Sequence, residues 1–118
     1  LIAVTADRSV GIDVEHVRVD FDFQPIVDRY FSAREKSELL GKPQSIHPQH
    51  FFNMWTRKEA ILKMLGQGLS LLDQLAGTAE DGSLNSVGKG WTLYPVDVGA
   101  EYEAALAVAG DRVQVIQQ

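Results

Sequence analysis

An α+β fold, with an antiparallel sheet packed against one long central helix and shorter helices beside it, is what the sequence predicts. Three observations carry that expectation. Residues 51–65 set apolar side chains on one stripe at helical period and end at a glycine. Segments rich in β-branched residues stand on both sides of that helix in the chain. Strands and helices do not alternate regularly, as a parallel sheet with crossover helices would require.

In chain order, Leu1–Ala6 and Val10–Val17 read as two strands of a hairpin, joined through the turn residues Asp7, Arg8 and Ser9. Phe23–Phe31, with Pro25 in its first turn, reads as a short helix. Ser32 with Glu35 three residues later has the spacing of a capping box and opens a second helix through Leu40, which Gly41 and Pro43 stop. The long helix is expected from Pro48 to Leu65, closed by Gly66 where a left-handed residue is wanted. Strands follow at Trp91–Val98, Tyr102–Val108 and Arg112–Ile116, separated by Gly99 and the Gly110-Asp111 pair, and read as a meander. One domain spanning residues 1–118 accommodates all of it.

Composition removes several functional classes. The 118 residues include no cysteine, so a disulfide framework, a thiolate metal site and a cysteine nucleophile are excluded, and the usage fits a reducing compartment such as the cytoplasm. The apolar opening Leu1–Ala6 is too short for a signal-peptide core or a membrane span. A formal net charge of -5 argues against nucleic-acid binding, which needs a basic face to displace counterions.

Chemistry concentrates in two places. In Gly11-Ile12-Asp13-Val14-Glu15, strand alternation turns Ile12 and Val14 to one face and Asp13 and Glu15 to the other. Like charges side by side are unfavourable unless a cation lies between them, and a hard cation with oxygen ligands suits a carboxylate pair. Taken alone, the pattern equally describes the solvated face of an amphipathic strand. The second place is the long helix. Its positions 51, 54, 55, 58, 61, 62 and 65 form the stripe, and all are apolar except Lys58. A lysine there must snorkel or meet an anion. Glu59 and Lys63 lie on the flank of the stripe at the spacing i, i+4, which by itself also describes an ordinary surface ion pair. Asp13, Glu15 and Glu59 beside Lys58 and Lys63 make a set suited to phosphoryl chemistry on a magnesium pyrophosphate.

Val10-Gly11-Ile12-Asp13-Val14-Glu15, then Arg29-Tyr30-Phe31-Ser32 with Glu35, then Trp55-Thr56-Arg57-Lys58-Glu59-Ala60-Ile61-Leu62-Lys63 with Gly66-Gln67-Gly68-Leu69-Ser70, resemble in order and spacing the surfactin-synthetase-activating type of 4'-phosphopantetheinyl transferase. The resemblance is dense from about residue 1 to residue 72. It implies Mg2+-dependent transfer of the phosphopantetheine arm of coenzyme A to a serine of an acyl or peptidyl carrier protein, as in fatty acid, polyketide and nonribosomal peptide biosynthesis. It further implies Asp13, Glu15 and Glu59 as metal ligands, Glu59 as the base for the serine proton, Lys63 on the pyrophosphate and leaving group, and Lys58 as a supporting coenzyme contact. Trp55 reads as core packing, and Gly66 and Gly68 as a turn.

The chain resembles only the second of that family's two halves. The family's Ser-His motif, expected just before Leu1, is absent, and His16, His47 and His50 do not replace it by position. A natural short form, a fragment opening on Leu1, or one chain of a split enzyme that needs an N-terminal half or second subunit are the alternatives; the last of these is a binding half without activity alone. His47 and His50 flank Pro48, which argues against a regular helix there and so against a zinc pair. Arg29, Arg34, Lys36 and Lys42 offer either a docking surface for an acidic carrier protein or scattered solvated charges.

Overall fold

The computed structural model of the chain describes residues 9–66 and 91–110. Strand β1 (Val10–His16) is followed by helices α1 (Gln24–Tyr30) and α2 (Ala33–Leu40), a single 3-10 turn over Gln44–Ile46, the long helix α3 (His47–Leu65), and strands β2 (Trp91–Pro95) and β3 (Tyr102–Ala109). The strands form one antiparallel sheet in the order β1-β3-β2, so the last strand lies in the middle. Val10 pairs with Val108 and His16 with Tyr102 on one side of β3; Trp91 pairs with Ala109 and Pro95 with Ala105 on the other. The α+β expectation holds. The expected strands Leu1–Ala6 and Arg112–Ile116, and the turn residue Gly68, lie outside the described residues.

Local chemistry explains the boundaries. α1 is one residue shorter at each end than expected, because Phe31 is already extended (φ -90°, ψ 140°) and delivers the chain to Ser32. At α2 the capping box forms in full: Ser32 Oγ accepts from the Glu35 amide at 3.1 Å, and the Ser32 amide donates to Glu35 Oε1 at 2.9 Å. α3 begins at His47, one residue before the expected Pro48. Pro48 sits in the first turn, where its missing N–H deprives the helix of nothing. Gly66 closes α3 at φ 69°, with its amide on the carbonyls of Leu62 and Lys63. β2 stops at Pro95, short of the expected Val98, because proline cannot donate to a ladder; the Val96 amide makes one further bond to the Ala104 carbonyl at 3.2 Å.

The single apolar stripe understates α3. Phe51, Phe52, Met54, Trp55, Thr56, Lys58, Ala60, Ile61, Leu62 and Met64 are all buried, which spans most of the helix circumference, while Leu65 at the end of the stripe is exposed. The reason is that α3 is covered on two sides. β1 and β3 lie along one side. On another, Phe51 stacks with Phe23 at 4.8 Å and with Phe31 at 5.6 Å, and Trp55 meets Tyr30 of α1 at 5.9 Å. Trp55 belongs to the core, as expected. A fully buried aromatic such as Phe51 contributes about 1.5–3 kcal/mol of transfer free energy, so this cluster anchors α3. No helix among the described residues is long and apolar enough to cross a membrane.

Candidate functional site

The site grows from the close approach of β1 to α3. An atom at the Cβ position of Gly11 would collide with the Ala60 carbonyl oxygen and the Met64 amide of α3. Only glycine allows strand and helix backbones so near each other. Alternation then turns the next odd residues the same way, so that Asp13 is 6 % exposed and Glu15 half-buried, while Val14 on the opposite face is 42 % exposed. The outer-face reading of the acid pair is thereby excluded, since the carboxylates stand on the helix-facing side of the strand.

Asp13 Oδ1 accepts from Lys63 Nζ at 2.7 Å, joining strand to helix across 50 residues of sequence. Its other oxygen, Oδ2, is buried without a hydrogen-bond partner among the described residues. Burial, and next the Asp13 charge, push the Glu15 carboxyl above its ordinary range; Arg18 and Lys63 oppose this, and a proton on Glu15 would be shared with Asp13. Burial also pushes Glu59 up, with Asp13 and Glu15 adding to it and Lys63 opposing. The hydrogen bond to Asp13 raises Lys63, against the effect of its own burial. Asp13, Glu15 and Glu59 therefore feel one another's charge and share the field of Lys63.

That balance is anionic, three carboxylates against the Lys63 ammonium and, near Glu15, the Arg18 guanidinium, and it leaves a buried carboxylate oxygen without a donor among the described residues. All the candidate ligand atoms are hard oxygens. The donor set fits a small divalent cation such as Mg2+. Among the described residues no three acidic or histidine groups are already drawn together at metal-holding distance, and Lys63 supplies the positive charge beside Asp13.

The structure does not bring Lys58 into this group. Its side chain is 2 % exposed, with Nζ 2.7 Å from Glu35 Oε1 and 5.3 Å from the centre of the Phe31 ring. The anion demanded by a lysine in an apolar stripe is the capping-box glutamate of α2. The sequence signal was present, a buried ammonium and an acid at a helix start, yet nothing in their spacing joins residues 35 and 58. The sign of the close backbone approach at Gly11 is a glycine inside a β-branched strand.

The histidine reading needs correcting in its premise. Pro48 does not disturb the helix at His47 and His50, but the His47 Nε2 lies 2.7 Å from the Lys42 carbonyl oxygen and is engaged there. Of the basic stretch, Arg29, Arg34 and Lys42 are exposed, whereas Lys36 is half-buried with Nζ on the Asp28 carbonyl at 3.3 Å. A cavity of about 230 Å³ between α3 and strands β2 and β3, lined by Asn53, Thr56, Arg57, Trp91 and Tyr94, contains none of the expected site residues.

A model of the 4'-phosphopantetheinyl transferase superfamily matches residues 9–90, a stretch that contains Asp13, Glu15, Glu59 and Lys63. The chain belongs to the 4'-phosphopantetheinyl transferase superfamily. Among transferases of that name, HetI of Nostoc sp. is 34 % identical over 112 residues, covering 93 % of this chain and 47 % of its own length. The psf-1 protein of Bacillus pumilus is 36 % identical over 85 residues, covering 70 % of this chain and 35 % of its own length. The chain thus spans half or less of these transferases. The holo-[acyl-carrier-protein] synthase of Thermotoga maritima shares the fold, with a TM-score of 0.55 and 21 % identity over 88 % of this chain and 64 % of the synthase.

Proposed function

We propose that this member of the superfamily supplies the catalytic, Mg2+-binding half of a transferase that moves 4'-phosphopantetheine from coenzyme A to a serine of an acyl or peptidyl carrier protein. The observation that supports it most is the 2.7 Å bond from Lys63 to Asp13 across the β1–α3 contact, with Asp13 Oδ2 buried and without a hydrogen-bond partner among the described residues, and with Glu15 and Glu59 near enough to feel the Asp13 charge. Asp13, Glu15 and Glu59 would hold Mg2+. Bound there, the ion would offset pyrophosphate charge and polarise the phosphorus under attack.

The chain's own groups perform the remaining work. The serine Oγ bonds to the β-phosphorus of coenzyme A, and the bond from that phosphorus to the departing adenosine 3',5'-bisphosphate breaks. Glu59 takes the serine proton directly or through water. Lys63 has a side chain 52 % exposed, and its stem can turn the ammonium from Asp13 toward the leaving phosphate, whose new negative charge it meets. Lys58 is omitted from the coenzyme contacts in this reading because Glu35 already holds its ammonium. A cytoplasmic setting, where coenzyme A and carrier proteins meet, completes the proposal.

A second reading, a binding half that works only with another chain, draws support from the coverage of HetI and psf-1, 47 % and 35 %. Incubation with coenzyme A, Mg2+ and an apo carrier protein, followed by mass spectrometry of the carrier, separates the two. Gain of the phosphopantetheine mass with this chain alone supports a complete enzyme. Gain only after addition of an N-terminal half supports the second reading. No gain in either case, or full activity in Asp13→Ala, refutes the proposed site.

A further inference from the structure

Two of the chain's charged side chains are buried against each other away from the acidic cluster, and the proposed mechanism uses neither. Glu35 and Lys58 have side chains 3 % exposed and lie 2.7 Å apart. The same Glu35 oxygen accepts the Ser32 amide at 2.9 Å, and the Lys58 ammonium lies over the Phe31 ring. A buried pair of this kind is weak as a source of stability, because removing both charges from water costs about as much as their attraction returns. Its best-attested contribution is to select one register out of several near-equal packings.

The register selected here is that of α3. Lys58 and Glu59 are successive residues, about 100° apart around a helix of 3.6 residues per turn. Lys58 therefore ties one side of α3 to the start of α2, while Glu59 stands on a neighbouring side, next to Ala60, whose backbone meets Gly11 of β1. Ala60 and Met64 press on Gly11. A rotation of α3 by about 10° moves a side-chain tip about 6 Å from the axis by about 1 Å. A shift of that size at a reacting group costs up to about 100-fold in rate.

We infer that the Glu35–Lys58 pair is a positioning device that sets the rotation of α3, and so the direction in which Glu59 leaves the helix relative to β1, without touching coenzyme A. The inference rests on the proposed transferase reading for its kinetic consequence, but Mg2+ binding tests it independently. The informative variant is Glu35→Gln with Lys58→Met. It leaves no buried charge unpaired and keeps an acceptor for the Ser32 amide, so the fold is retained even where either single change unfolds the chain.

Mg2+ affinity by calorimetry, and kcat and KM for coenzyme A in whichever form transfers, are compared for wild type, the double variant and Lys58→Arg. The expected result for the double variant is a melting curve close to wild type, Mg2+ affinity and kcat each lower by about tenfold or more, and KM for coenzyme A unchanged. Lys58→Arg, which keeps the pair, restores both. Wild-type kcat and Mg2+ affinity in the double variant would show a purely structural pair and overturn the inference. So would a raised KM for coenzyme A with kcat unchanged, the mark of a direct contact. A wild-type protein that binds Mg2+ but transfers nothing, alone or with an N-terminal half, refutes the transferase reading instead, and the calorimetric comparison still decides the role of the pair.

Discussion

Gly11→Ala tests the backbone approach on which the site is built. The added Cβ would occupy space held by the Ala60 carbonyl oxygen and the Met64 amide nitrogen, and would stand 3.0 Å from the Lys63 carbonyl carbon. These are backbone atoms, so no rotamer change relieves the clash. Carbon contacts are comfortable at about 3.5–4.0 Å, so β1 and α3 must separate by on the order of 1 Å. Overpacking of that kind costs about 1–3 kcal/mol, and an unyielding helix backbone puts this case at the upper end. The Asp13–Lys63 bond, now 2.7 Å, would be strained, although the flexible Lys63 stem can follow part of the shift. Its weakening adds at most about 1 kcal/mol, because the half-exposed Lys63 ammonium is partly screened by water. The expected destabilisation is about 3 kcal/mol, a fall in Tm on the order of 10 °C for a chain of this size. Urea unfolding followed by circular dichroism measures it, and Mg2+ titration of the folded protein should show weaker binding. Stability within about 0.5 kcal/mol of wild type, with unchanged Mg2+ affinity, would refute the close approach as the organising feature.

Glu15 and Glu59 titrate above their ordinary value of 4.5, so the stability they contribute is complete below that value and is lost as pH rises through their folded values. Without divalent ions, the wild-type protein should therefore lose stability relative to Glu59→Gln as pH rises from about 4.5 toward neutrality, and Mg2+ should erase the difference. His50, lowered by burial, acts in the opposite sense by losing its contribution as pH falls below its ordinary 6.5. It is common to both proteins, so only their difference is diagnostic; equal pH profiles would remove Glu59 from the coupled group. Ser32→Ala deletes the acceptor for the Glu35 amide and should cost about 1 kcal/mol, read by the same unfolding assay, with no loss counting against the capping box. Gly66→Ala forces a side chain into the left-handed region at φ 69° and should cost about 1 kcal/mol; an unchanged midpoint would show that α3 ends differently.

Elements written in local chemistry were legible. The capping box of Ser32 and Glu35, the left-handed close of α3 at Gly66 and the alternation of β1 are each decided by residues a few positions apart, so sequence and structure agree at all three. Sequence and structure differ where a boundary depends on a missing donor, as at Pro95, and where a proline falls in a first helical turn and disrupts nothing, as at Pro48. Asp13, Glu15, Glu59 and Lys63 were also found in the sequence, because two motifs of distinctive composition carry them.

Which groups meet was another matter. The sequence by itself determined that Asp13 and Glu15 share a strand face, that Glu59 and Lys63 share a helix flank, and that Lys58 needs an anion. Only the tertiary structure decided that the acidic face of β1 turns inward, that Lys63 bonds Asp13, and that Lys58 takes Glu35 and stays out of the acidic group. The physical reason is that periodicity specifies direction around one element's own axis. The distance between two elements is set by how closely they pack, here by the absence of a side chain at Gly11 against the backbone of Ala60 and Met64.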